Sequence, residues 1–530
     1  MATNVPSTAE QFMDLVRSRV PKLDRTLSNF GNEKVSDYLA SVLAGPFPSP
    51  LQAREDLIQV IHEQTERLMG RDTADRVAED INTTPVVSTV NHMGVDFTAH
   101  TLQGNLLFAT GNMALGRAAT TLPVLSCGNI PLNNSTFPRG ALIYKTPKEM
   151  AEELPVKLPL FPKRFNTRMV HGTPPFTRKM GDAARKRFQA LIREKKISPD
   201  LEAAQEKLWT QGYASPSILG QASYPDQACL LNRIIFNGLF KEECKPPALV
   251  FINMEEIVMA LLKKDLAHPH SLAHDLLFTP RLLERLVTAL SGARGCWDRE
   301  LLAQRLAPDY TDLDPEEKTR LKGCGTMLFW GMNPKNRRVS LCLVPDSKGD
   351  LVLEGRDECG ERFQVDFTPP ALTRAMDNGT LLPSNFTCFL VLAFARGMVC
   401  VGGYFQSEYL PEIRDKVAGV LSESGEERLV QSARKVAAVP CDRFFSAMAG
   451  VMCGNRTGQL FPAGALEMTA APLSLKDIEK VQALTVEEAF YASLLDTVMD
   501  VIPRNLVNGS WKGPLSLDVG KKLKDRVVVV

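Results

Sequence analysis

The chain has 530 residues, 44% of them hydrophobic and 23% charged, which makes it globular and too long for one ordinary core. With 62 basic and 61 acidic residues the formal charge is +1, so bulk charge drives it neither to nucleic acid nor to an anionic membrane. No apolar run reaches the ~20 residues of a bilayer span. No signal-like start is visible, and eleven cysteines without a Cys-x-x-Cys pair fit reduced thiols in a cytoplasmic protein.

In chain order, residues 1–84 read as a helical N-terminal region. Ser7-Thr8-Ala9-Glu10 matches a capping box with Ser7 as the cap, and Phe12, Leu15, Val16 and Val20 follow at helical spacing. Two amphipathic segments follow at 33–43 and 50–69, and Asp72 opens a fourth. Residues 85–265 read as an α/β core. Strands are expected at 86–90, 122–127 and 249–252, a short one at 142–144, and helices at 182–194 and 198–209. Residues 266–322 read as a helical insertion with Ser271 as a cap, and 323–368 as an antiparallel β meander. Residues 369–530 read as a mostly helical region completing the core, with a strand at 398–401 and a turn at Gly402-Gly403-Tyr404. The fold class expected is α/β, with a parallel-sheet, Rossmann-like core.

Ligands in such folds bind beyond the carboxyl ends of the strands. The corner Asn91-His92-Met93-Gly94 ends the first strand. A histidine, a glycine open to close approach and a helix N-terminus make a site for phosphate or carboxylate. His92, Asp96 and His100 are the catalytic candidates. Asn91 and Gly94 at this corner, Asn133, Asn134 and Arg139 in the loop 128–140, and Asn253 and Glu255 after the third strand are the substrate-binding candidates. In this scheme His92 and Arg139 point into one shared hollow. Cys127 is either a nucleophile served by His92 or a small buried hydrophobe.

His92, Asp96 and His100 are also spaced by four. On one helix face they would suit Zn, Fe or Mn. His270 and His274 offer the same spacing; a solvated loop leading into a capped helix explains them equally. The plain alternative for His92 is a hydrogen-bonded strand-end residue. P-loop, G-x-G-x-x-G, G-x-S-x-G and H-E-x-x-H patterns are absent from the sequence.

The His92-Met93-Gly94 corner resembles the His-x-Gly-His element of the nucleotidyl-transferase and class I aminoacyl-tRNA synthetase superfamily, with Val95 in place of the second histidine. That resemblance implies nucleotide phosphates held at the corner. Over about residues 80 to 260 the strand, polar corner and helix are also similar to the bacillithiol-synthesis cysteine ligase family. The expectation that results is a ligase or transferase acting on a small amino-acid-like or phosphorylated substrate, with a nucleotide as the candidate cofactor and a divalent metal less favoured. A metal-dependent enzyme and a non-catalytic scaffold are the alternatives. No nucleic-acid or membrane partner is expected, and the sequence leaves the oligomeric state open.

Overall fold

The computed structural model describes residues 6–45, 47–116, 120–147, 151–307, 313–503, 506–507 and 509–530. The apolar run at 86–90 forms only a short strand, β1 (Val86–Ser88), before its polar corner. It lies in a parallel sheet with β2 (Thr121–Ser126), β3 (Ala248–Asn253) and β4 (Val399–Val401), in the order β4-β1-β2-β3. All six β2 residues are buried, as expected of a strand covered on both faces. The chain leaves β1 toward β2 on one side and returns as β4 on the other. The order reverses at β1–β4, the position where open α/β sheets form a crevice.

Five helices carry side chains that reach the strand ends: α1 (Ala99–Ala114), α2 (Tyr224–Gly238), α3 (Met254–Ala267), α4 (Gln406–Ser422) and α5 (Leu494–Val501). Nearly all of α1 is buried, polar residues included. Gln103 shows how that is tolerated. Its amide donates to the carbonyls of Val451 (2.7 Å) and Ala463 (3.0 Å), and its oxygen accepts from the amides of Gly450 (2.9 Å) and Val451 (3.1 Å). A buried side chain with its capacity met ties α1 to the strand Val451–Gly454.

Arg396 interrupts the apolar segment before β4 for a similar reason. Its guanidinium is fully buried and bonds Asp56 (2.6 Å) and Asp265 (2.9 Å), joining the helix Glu55–Met69 and α3 to the chain entering β4. Removing one member of such a network leaves a buried charge, at a cost of about 3–5 kcal/mol.

Several local expectations shift. The first capping box uses Thr8 and Gln11 rather than Ser7 and Glu10, because the helix Ala9–Arg17 starts one residue later. Asp72 lies in the first turn of Arg71–Thr83 and Gly70 holds the cap position. Ser271 does cap Leu272–Phe278, accepting from the amide of His274. Residues 308–312 of the expected helical insertion lie outside the described residues.

The meander is two three-stranded antiparallel sheets. Phe329–Met332 pairs with Arg338–Ser340 and also with Leu381–Pro383, beyond the expected boundary. Leu351–Arg356 pairs with Cys342–Pro345 and Arg362–Asp366. The C-terminal region adds a sheet in which the last strand, Val528–Val529, runs parallel to Val451–Gly454. Most buried apolar side chains from Ala9 to Val528 form one continuous core. No helix among the described residues is long and apolar enough to cross a membrane.

Candidate functional site

The corner after β1 is filled by the protein itself. Helix α1 begins at Ala99, so His92 and Asp96 both precede it and neither shares a helical face with His100. Asp96 serves the helix start. Its carboxyl accepts from Asn91 Nδ2 (2.6 Å) and Thr101 Oγ1 (2.7 Å), and burial raises it to about 7 against these donors. The Val95 amide donates to the Tyr224 hydroxyl, which in turn donates to the Pro138 carbonyl. The amides of Asp96 and Ala99 go to Asn232 Oδ1 (2.8 Å) and the Tyr144 hydroxyl (3.1 Å).

Gly94 is needed there for the close approach of the loop. At a φ of 141°, a Cβ on it would lie 2.6 Å from that of Pro138. The anion site expected at this corner is therefore occupied by side chains and loop.

Arg139, expected to share a hollow with His92, has an aromatic partner of its own. The Arg139 guanidinium stacks on Phe137, 5.0 Å from the ring centre, and the same ring faces Lys157. Asn133 is exposed. Asn134 does reach His92 through a relay. The His92 Nδ1 is 3.4 Å from Thr136 Oγ1, which donates to Asn134 Oδ1 at 3.0 Å.

Asn253 and Glu255 belong to the β2–β3 strand ends. Glu255 is fully buried and accepts from the amides of Gly128 (2.7 Å) and Asn129 (3.0 Å). Burial still raises its carboxyl to about 7. Asn253 accepts from the amide of Glu255 and its amide group meets His171 Nδ1 at 3.1 Å. Burial lowers His171 to about 4. Cys127 donates to Asn129 Oδ1 (3.2 Å), and burial raises its thiol well above the ordinary value, so it remains a protonated, buried thiol.

What the fold gathers around His92 and His100 comes from the β4 side. The His100 ring meets the Tyr404 ring edge-on, with centroids 5.9 Å apart. Tyr404 follows β4 and its hydroxyl donates to Asp500 on α5. Burial lowers the pKa of both His92 and His100, while the charge of Asp500 acts on both rings in the opposite direction. Both imidazoles are half-buried, so they are shielded without being closed off.

Asp496, one turn before Asp500, is raised to about 7, first by burial and with the Asp500 charge adding; Lys512 opposes. Its Oδ2 is buried without a hydrogen-bond partner. Across the strand ends, Gln406 at the start of α4 reaches Thr89 Oγ1 (2.9 Å) and the Cys400 carbonyl (3.1 Å). Gly402 has no side chain because that amide passes over it: a Cβ would lie 2.0 Å from Gln406 Oε1.

The β1–β4 end thus carries two imidazoles whose pKa burial lowers, a phenol bonded to a carboxylate, and near that phenol a second carboxyl with one unpartnered oxygen. This is equipment for moving protons near neutral pH. The alternative metal set, His92, Asp96 and His100, is not brought together there. Among the described residues the only three metal-ligating groups within 4.8 Å of one another are Asp357, Glu358 and Cys359. There Asp357 braces its own turn and Glu358 pairs with Arg337. His270 lies in the solvent-exposed approach to its helix, 3.8 Å from Asp275, and His274 packs on Phe278.

The sequence marked His92, His100 and Asn134. It reduced Tyr404 to a turn and missed Asp496 and Asp500. Their signal was a pair of like charges at i and i+4 in a helix otherwise apolar but for Thr497, a mildly unfavourable spacing. No family model, curated protein or solved structure matches this chain.

Proposed function

We propose that the chain is a group-transfer enzyme, a ligase or transferase, working on a small amino-acid-like or phosphorylated substrate in the β1–β4 crevice. In this reading the parallel sheet is used in the Rossmann-like manner, with the substrate over the point where strand order reverses, and the setting is the cytoplasm. The observation that carries the reading is the pair of imidazoles kept neutral by burial at that point, beside the Tyr404–Asp500 pair.

His92 is the general base. Neutral at pH 7, it takes the proton of the attacking group and returns it to the leaving group, while Thr136 and Asn134 fix its ring. The charge of Asp500 stabilises the imidazolium formed on the way. His100, edge-on to Tyr404, is the second proton carrier. We assign no nucleotide to the β1 corner, whose donors Tyr144, Tyr224 and Asn232 already satisfy.

The test is a comparison of wild type and His92→Gln in a small-molecule extract, followed by mass spectrometry. At least one metabolite should be consumed by wild type and spared by the variant. Equal consumption by both, or none by either, overturns the assignment.

A further inference from the structure

An apolar cavity lies between the hairpin strands Gly140–Ile143 and Val156–Pro159, the helices Arg178–Arg193 and Glu202–Leu208, and the π-helical turn Trp209–Tyr213. Phe97 and Leu466 complete its lining. About 500 Å³ between the walls is unfilled by atoms, the open mouth included, and the centre of a water molecule can occupy about 60 Å³ of it. Leu158, Phe188 and Trp209 make the walls apolar and aromatic, the usual lining of a small-molecule site.

The backbone marks the same place. A π-helical turn is rare and recurs at functional sites. Here the Ala214 amide bonds the Trp209 carbonyl, five residues back, at 2.9 Å, and Trp209 and Tyr213 both line the cavity. The other π-helical segment among the described residues, Leu390–Ala395, is apolar and buried throughout, so it serves the core. At the cavity, by contrast, the Tyr213 hydroxyl and the Gln205 side-chain amide bond no group of the described chain. The wall is also fitted to the indole: a Cβ on Gly181 would lie 2.6 Å from Trp209 Cζ3.

Size and charge narrow the occupant. A closed apolar cavity of ~150 Å³ takes a benzene ring. The free volume here is under half of that and open at one side, which suits a chain and not a ring. Arg185 is the one charged residue of the lining, and its guanidinium is already met by Glu206, through Nε at 3.1 Å and Nη2 at 2.7 Å. An anionic head would face that carboxylate, and a cationic one the guanidinium. Gln205 and Tyr213 offer neutral donors and acceptors.

We infer that this cavity binds an unbranched aliphatic chain of a few carbons, with an uncharged polar head held at the mouth by Gln205 and Tyr213. Binding here needs none of the residues assigned to the β1–β4 crevice.

The test titrates the full chain with n-butanol, n-pentanol, n-hexanol, hexanoate and phenol. The readout is the fluorescence of Trp209, isolated by subtracting that of Trp209→Phe. The change should saturate, and affinity should rise about threefold to fourfold for each added methylene, the gain for burying one. Hexanoate and phenol should bind at least about tenfold more weakly than n-hexanol, one for its charge and the other for its width. Ala184→Leu should fill the space, weaken n-hexanol by about tenfold or more, and keep or raise the melting temperature of the free chain. Leu466→Phe fills it from the opposite wall and replaces Ala184→Leu where that variant does not fold.

A change that does not saturate, equal affinity for n-hexanol, hexanoate and phenol, or full affinity in a folded filled variant overturns the proposal. A raised melting temperature in Ala184→Leu with no binding of n-hexanol to wild type makes the space a packing void, and overturns it too. Where neither variant folds, the wild-type series decides: a flat dependence on chain length removes the site.

Discussion

Two ends of one sheet can be compared side by side. At the β2–β3 ends, Glu255 is a carboxyl raised to about 7 by burial, and at the β1–β4 ends Asp496 is another. Glu255 is fully buried and both its oxygens accept backbone amides. Asp496 is half-buried and one oxygen accepts nothing. A displaced pKa is common to both, so it does not mark function by itself. The difference lies in unmet hydrogen-bonding capacity beside groups that water can reach. Glu255 braces the loop after β2, and Asp496 Oδ2 braces nothing.

The corner after β1 belongs with the braced class, and Gly94→Ala tests that with the largest expected effect. The new methyl overlaps Pro138 at 2.6 Å on a backbone with φ of 141°. Overpacking and strain together should cost about 3 kcal/mol or more, read as a lower urea midpoint. A variant of wild-type stability that loses only substrate affinity would return Gly94 to ligand binding.

His92→Ala sharpens the other side. Turnover should fall by about a hundredfold, a typical loss of general acid–base catalysis, with circular dichroism unchanged. A large stability loss with proportionate activity would make His92 a brace like Glu255. Next comes Glu255→Gln. It places an NH2 against one of the two backbone amides that the carboxylate accepts, and should cost about 2 kcal/mol in chemical denaturation. No cost would mean that Gly128 and Asn129 are held by something else.

Much of the sheet was legible because long apolar runs ending in polar corners have few alternatives in a chain of this size. The strands at 121–126 and 248–253 lie close to where the pattern puts them. Pairing was less legible. Leu381–Pro383 completes a sheet begun at Phe329, a partnership between distant segments that local pattern cannot carry. The two-residue strand Val528–Val529 is too short to show a period.

In the site, His92 and Asn134 could be read because they follow a strand directly. Gly94 and Arg139 have partners within the chain that local sequence could not name. A glycine announces that something comes close, and only the fold says that it is Pro138. An arginine announces a cation, and only the fold gives it to Phe137. Asp496 and Asp500 lie some four hundred residues after His92, on a helix whose other residues are apolar but for Thr497, so nothing local joins them to the strand ends.

The smallest effect concerns pH and separates the two carboxyls directly. A free aspartate titrates near ~3.9, and Asp496 in the fold near about 7. Between those values the folded chain holds a proton that the unfolded chain has released. The contribution of Asp496 to stability is therefore greatest below pH 4 and is lost as pH rises through 7. Groups facing it are Tyr144, Tyr404, Asp500 and Lys512, of which only Lys512 favours the charged form. Asp496→Asn removes this term, so its stability relative to wild type should increase from pH 5 to pH 8, by about 1–2 kcal/mol after allowing for water access. Glu255→Gln should show the same sign of slope but stay less stable than wild type throughout, because the amide loses a hydrogen bond at every pH. If Asp496→Asn is also the less stable chain at pH 8, Asp496 is satisfied in solution, and the contrast between the two strand ends disappears.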